Sequence, residues 1–355
     1  MKKNLMVVDD SALMRRVICD IINEDGRFEV KDTCRNGKEA LEKLRVEKYD
    51  GVLLDVNMPV MDGLQLLGEL HKEKIQTTII MVSTLTTKDA DVTIRAMELG
   101  ATDFVTKPEN IADAKGKDFS DNLLSIISAV ITHGNFKRAF ATPRPVHVPT
   151  TAKSAATPAA KGNKLIAIAS STGGPKSLQS VIPYLPEKVD APIVLVQHMP
   201  AGFTASMANR LNELSKVNVK EAEDGEVLRK GWVYIAPGGS HLKVVPVAGG
   251  NHKIQLTKED PIGGLRPCAD LMYESLVKCK YDHVTCVVLT GMGADGTKGI
   301  NALKKSGQRI YTISQDKDSC VVYGMPKAIA DSGASDEVVS LENVAGSIIK
   351  NVGVV

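Results

Sequence analysis

Short apolar runs alternate with stretches of helical spacing along most of this chain. Near the start, Leu5–Val8, Phe28–Val30, Val52–Leu54, Thr78–Val82 and Asp103–Val105 predict strands. Between them, Leu13/Met14, Val17/Ile18 and Ile21/Ile22 recur at steps of four behind Ser11, a residue suited to cap a helix N-terminus. Leu64, Leu67 and Leu70 mark another helix, and Ile111–His133 predicts a closing helix that starts near Asp118. Strands alternating with helices imply a parallel sheet wrapped by helices, here of five strands. The pattern resumes at Lys164. Leu165–Ala169, Ile193–Gln197, Trp232–Ile235 and Val284–Thr290 predict strands, the first two and the last buried on both faces. Lys243–Thr257 alternates around Gly249-Gly250 and predicts a hairpin, while Met207–Leu214 and Gly299–Lys305 predict helices. The second region is therefore also α/β, a doubly wound sheet with an added β-hairpin.

Between the two regions the composition changes. Residues 135–163 hold Pro143, Pro145, Pro149 and Pro158 among many Ala, Thr and Lys, with no long apolar run, and read as a flexible tether. The domains expected are thus 1–134 and 164–355. From Asn122 to Pro186 there is no acidic residue, while seven Lys and Arg occur. A basic tether can touch nucleic acid or an acidic partner, but it lacks the aromatics that stack on bases, so a solvated connector is expected and no nucleic-acid role. A net charge of +2 points the same way. Six cysteines form no CxxC pair and read as reduced thiols. No apolar run approaches the ~20 residues of a membrane helix. With no secretory signal either, a soluble cytoplasmic protein is expected.

The candidate chemistry lies where the apolar runs end. Asp9 and Asp10 follow the first, Asp55 ends the third, Ser83 follows the fourth and Lys107 the fifth. In an open parallel sheet these carboxyl-end positions share one rim. Three carboxylates gathered there need neutralising; Mg²⁺, which takes oxygen ligands and keeps phosphate oxygens in its shell, suits them. Asp55 is then a carboxylate nucleophile toward phosphorus, with Lys107 as a point charge beside it. In the second region, Leu165–Ala169 runs into Ser170-Ser171-Thr172-Gly173-Gly174-Pro175 before a helical pattern. That turn suits a phosphate loop, a serine nucleophile beside an oxyanion hole, or a plain helix cap. No Walker pattern or full GxGxxG supports nucleotide binding. His198 ends the next strand, where a base is expected; His241 is its rival. Asp295, in Gly291-Met292-Gly293-Ala294-Asp295-Gly296, fits the acid of a triad or a helix cap. The order Ser, His, Asp and the lack of GxSxG set this apart from α/β-hydrolases. The residues alone leave Ser170 and Ser171 equally open as nucleophile.

The segments MVVDDS, LLDVNMPVMDG, MVSTLT and DFVTKP resemble the receiver domain of two-component response regulators, with its flavodoxin-like fold. The segments IASSTGGP, VQHMP, DGEVLRKGWVYIAPGGSHL and VVLTGMGADGTKG resemble the chemotaxis protein-glutamate methylesterase (CheB) family. The resemblance implies that Asp55 is phosphorylated by a chemotaxis histidine kinase. It further implies that Asp9, Asp10, Asp55 and the Asn57 carbonyl hold Mg²⁺, and that Ser83 and Lys107 read the phosphoryl group. It makes Ser171 the nucleophile, His198 the base and Asp295 the orienting acid, with the Met292 N–H and the neighbourhood of Thr172 facing the oxyanion. The implied activity is removal of methyl groups from γ-glutamyl esters of methyl-accepting chemoreceptors. Deamidation of receptor glutamines follows from the same chemistry, and neither reaction needs a cofactor. Two positions depart from the family pattern: Ser170 stands where Ala is usual, and Cys268, in Arg266-Pro267-Cys268, stands where Ser is frequent. A phosphorylation-switched binding module without catalysis is the alternative reading.

Overall fold

The computed structural model describes residues 2–108, 110–114, 116–132 and 162–354. The chain divides into two compact units, Met1–Phe140 and Ala141–Val355. Almost all of the tether read over 135–163 lies outside the described residues.

The first unit is built on β1 (Lys3–Val8), β2 (Phe28–Cys34), β3 (Gly51–Asp55), β4 (Ile79–Ser83) and β5 (Asp103–Thr106). All pairings are parallel, in the order β2-β1-β3-β4-β5. The central strands are fully buried, which is why they read as unbroken apolar runs rather than as alternation. The helix Ala12–Glu24 buries Val17, Ile18, Ile21 and Ile22, and the Ser11 side chain accepts from the Met14 N–H as its cap. The expected closing helix is broken: Ile111–Ala114 is a single turn, and Lys117–Ile127 runs on into a π-helical turn, Ser128–Thr132. Phe119, Leu123 and Ile127 make its inner stripe.

The second unit holds a seven-stranded sheet and a separate hairpin. Its strands are β6 (Lys164–Ser170), β7 (Ile193–Gln197), β8 (Asn218–Glu221), β9 (Trp232–Ile235), β10 (His241–Pro246), β11 (His252–Thr257), β12 (His283–Val288), β13 (Ile310–Gln315) and β14 (Glu337–Val339). The large sheet runs β14-β13-β12-β6-β7-β9-β8, every pair parallel, and β10 pairs antiparallel with β11. The chain moves from β6 outward through β7, then returns on the other side of β6 with β12. The order in which the strands are laid down thus reverses between β6 and β12, the place where α/β sheets open a crevice. Strands β8, β13 and β14 were not legible in the hydrophobic pattern.

Candidate active site and acceptor pocket

Parallel register sets up the second unit's rim. Ser170 is paired with Gln197, so Ser171 and His198 leave adjacent strands side by side. The His198 N–H donates to the Ser170 carbonyl at 3.1 Å, and the Ser171 N–H donates to the Thr290 carbonyl at 3.0 Å beyond the end of β12. Three predicted segments therefore meet at one edge. His198 Nε2 lies 2.8 Å from Asp295 Oδ2, with both side chains under a tenth exposed. An ionised carboxylate only accepts, so Nε2 is the donor in this bond, and in the neutral imidazole the lone pair is then on Nδ1.

Asp295 is held from several sides. The Ala269 N–H donates to it at 2.6 Å, and the Asp270 and Gly296 N–H groups donate at 2.9 and 3.0 Å. The Cys268 thiol donates at 3.2 Å. Burial pushes the Asp295 carboxyl up, but the bond to His198 and these backbone donors outweigh it and hold the pKa at about 2. Cys268 has its place here: burial pushes its thiol up to about 12, so it stays protonated and serves as a donor where a serine hydroxyl would do the same.

The geometry separates the two serines. Ser170 is fully buried, and its Oγ donates to Gln197 Oε1 at 2.7 Å. Gln197 Nε2 in turn donates to the Ser171 and His198 carbonyls at 2.9 and 3.1 Å. Ser170 and Gln197 therefore brace the two loops from beneath, while Ser171 is half-buried at the rim. His241 is fully buried at the start of the hairpin, with Nε2 3.3 Å from the Asp260 carbonyl. It lies on the antiparallel pair, off the parallel rim.

Two elements of the site escaped the sequence reading. Thr290 Oγ1 is 3.0 Å from the Thr172 carbonyl and 3.2 Å from the Val322 carbonyl, and accepts from the Val322 N–H at 2.9 Å. One buried hydroxyl thus ties together the loops after β6, β12 and β13. The Met325 N–H donates to the Gly291 carbonyl at 2.8 Å, which fixes the segment that carries Met292. Gly291 is a close-approach position: a Cβ there would lie 2.4 Å from Met325 Sδ and 2.8 Å from Ser171 Cβ. Gly291→Ala is accordingly expected to displace Ser171 and lower ester turnover by on the order of 10- to 100-fold, measured as initial rate on a folded variant. Wild-type turnover would mean that Met325 alone gives way.

In the first unit, the Lys107 ammonium lies 2.8 Å from both Asp9 Oδ2 and Asp55 Oδ2. Oxygens of Asp9, Asp10 and Asp55 lie within 4.8 Å of one another. Burial raises the Asp55 carboxyl; Lys107 opposes and Asp9 adds to the rise, and the result is about 6. Lys107 is also displaced: burial favours its neutral form, but Asp55 and Asp9 more than offset this and raise it. Fully buried Ser83 accepts from Thr93 Oγ1 at 2.8 Å, and its carbonyl accepts from the Lys107 N–H at 2.7 Å. The Asn57 amide donates to Asp89 at 2.5 Å, so its side chain is engaged away from the carboxylate cluster. A Cβ on Gly63 would come within 2.5 Å of the Asp55 carbonyl oxygen, which explains the glycine of Met61-Asp62-Gly63.

Residues 166–348 match the model of the CheB methylesterase family, and residues 5–116 match that of the response regulator receiver domain. A protein-glutamate methylesterase/protein-glutamine glutaminase of Halalkalibacterium halodurans is 43% identical, with 98% of this chain and 97% of that protein covered. One of the same name from Geobacillus kaustophilus is 42% identical, with 98% of each covered. Among solved structures, the CheB methylesterase catalytic domain of Thermotoga maritima aligns with a TM-score of 0.51 and 44% identity, covering 53% of this chain and 98% of that one. Among the described residues, no helix is long and apolar enough to cross a membrane.

Proposed function

The chain belongs to the CheB methylesterase family, and from that premise we propose that it hydrolyses γ-glutamyl methyl esters of chemoreceptors under the control of phosphorylation at Asp55. The observation that carries the serine site is the His198–Asp295 pair beside Ser171 on one rim. His198 Nδ1 takes the hydroxyl proton as Ser171 Oγ attacks the ester carbonyl carbon. The oxyanion is met at the Met292 N–H and near Thr172. As the carbonyl re-forms, the ester C–O bond breaks and methanol leaves with the proton from His198. Water, deprotonated by His198, then opens the acyl-serine and frees glutamate. The imidazolium formed in each half-reaction is stabilised by Asp295, which stays ionised throughout. A primary amide in place of the ester gives ammonia instead of methanol, so receptor glutamines are the second substrate.

In the first unit, the donor set fits a hard cation: three carboxylates lie close together, and the buried Asp55 carboxyl is raised partly by Asp9. The Asp9, Asp10 and Asp55 carboxylates with the Asn57 carbonyl would hold Mg²⁺, which when bound supplies charge neutralisation for an incoming phosphoryl group. Asp55 is the acceptor, a chemotaxis histidine kinase the donor, and Ser83 and Lys107 read the product. The boundaries 1–134, 135–163 and 164–355 belong to the same reading. A non-catalytic binding module is disfavoured, because the named relatives are enzymes.

The test is methanol release from methylated receptor membranes and ammonia release from receptors carrying glutamine. Both are expected, and absence of both overturns the reading. Chelating Mg²⁺ is expected to stop phosphorylation by a small-molecule phosphodonor while leaving basal methanol release unchanged. A basal rate that falls with the metal would place a cation in the serine site.

A further inference from the structure

Asp295 lies at the start of a helix other than its own. Its carboxylate accepts the first N–H groups of the helix Ala269–Ser275, those of Ala269 and Asp270. Asp270 returns the arrangement. Its Oδ1 accepts the Gly296 N–H at 3.0 Å and the Gly299 N–H at 2.7 Å, at the start of the helix Thr297–Lys304 that follows Asp295. Each aspartate thus caps the helix that belongs to the other; the Gly299 N–H has Asp270 as its acceptor, while the Gly296 N–H is shared between Asp270 Oδ1 and Asp295 Oδ1, both at 3.0 Å, and so couples the two carboxylates.

The crossed pair is anchored on the sheet. Tyr273, on the first of these helices and fully buried, donates to the Val287 carbonyl at 3.1 Å and lies 3.3 Å from the Ala167 carbonyl. Those carbonyls belong to β12 and β6, the strands whose loops carry Thr290 and Ser171. At the outer edge Lys298 and Glu274 pair at 3.2 Å across the same two helices. The loop Gly291–Gly296 is therefore tied to Asp270 at its far end, one residue beyond Asp295.

We propose that Asp270 is a positioning residue for catalysis: by holding Gly296 and Gly299 it sets the Asp295 carboxylate against His198. The proposal rests on Asp295 being the orienting acid of the serine site. Asp270 touches no reacting atom, so its removal affects turnover rather than substrate binding. What the position needs is an acceptor oxygen at Oδ1, and asparagine supplies one.

The test measures kcat and KM for methanol release by the full chain carrying Asp270→Ala, Asp270→Asn or Asp295→Asn, with thermal unfolding of each. Asp270→Ala is expected to lower kcat about 10- to 100-fold with KM within twofold, and Asp270→Asn to restore kcat to within about threefold. Should the alanine variant fail to fold, Asp270→Glu replaces it; its carboxylate is one methylene too long to meet both N–H groups, and kcat is expected to fall about tenfold with KM unchanged. Wild-type kcat in a folded Ala or Glu variant, or an Asn variant as slow as Ala, overturns the proposal. If Asp295→Asn itself keeps wild-type kcat, the orienting role of Asp295 fails instead, which separates the two ideas.

Discussion

Ser171→Ala is expected to lower kcat for ester hydrolysis by about 10⁴-fold or more, with little change in KM. The magnitude follows from losing the nucleophile of a concerted group, after which only oxyanion stabilisation and binding remain. The neighbouring hydroxyl provides the contrast. Ser170→Ala leaves Ser171 in place but strands the buried Gln197 Oε1 that Ser170 contacts at 2.7 Å. An unsatisfied buried acceptor costs about 1–3 kcal/mol, so this variant is expected to melt earlier and to turn over within about tenfold of wild type. A reversal, with Ser170→Ala inactive and Ser171→Ala active, would move the nucleophile one residue back.

Asp295→Asn is expected to lower kcat by on the order of 10³–10⁴-fold, the scale seen when a triad acid loses its charge. Here the substitution also disturbs packing. Asp295 accepts from His198, three backbone N–H groups and the Cys268 thiol. An amide has one acceptor oxygen and turns an NH₂ toward donors, so the start of the helix Ala269–Ser275 loses its cap. Stability carries a matching pH signature. Because the folded carboxyl sits near 2, below its unfolded value, its contribution is present above about pH 4 and is lost as pH falls toward 2. That contribution is about 2 kcal/mol, and the Asn variant should lack this portion of the acid loss in denaturant unfolding. An Asn variant that is as active as wild type, with the same acid profile, would remove Asp295 from both roles.

The rim residues were legible in the sequence because buried parallel strands are unbroken apolar runs, and the first polar residue after each run marks its carboxyl end. Ile193–Gln197 and Trp232–Ile235 match β7 and β9 residue for residue. Strand β13 escaped because its last four residues, Thr312–Gln315, are mostly polar yet fully buried. Ser314 and Gln315 find tertiary partners, the Ser335 hydroxyl at 2.9 Å and the Thr290 N–H on Gln315 Oε1 at 2.8 Å, which no local pattern records. Cys268 and Asp270 were illegible for the same reason. Their partners lie 27 and 26 residues away, at Asp295 and Gly296. Spacing alone leaves Ser170 and Ser171 open and the resemblance favours Ser171; the fold adds that the Ser170 hydroxyl faces Gln197 inside the sheet while Ser171 is half-buried at the rim.

The proposed function couples an acceptor carboxylate to a serine hydrolase on one chain. Differential stability of its states must carry that link. The direct measurement is methanol release from methylated receptor membranes, with and without a small-molecule phosphodonor and Mg²⁺, by wild type, Asp55→Asn and Ser171→Ala. Stimulation in wild type, basal release without stimulation in Asp55→Asn, and no release under either condition in Ser171→Ala are expected. Undiminished stimulation in Asp55→Asn would rule out Asp55 as the acceptor that controls the hydrolase.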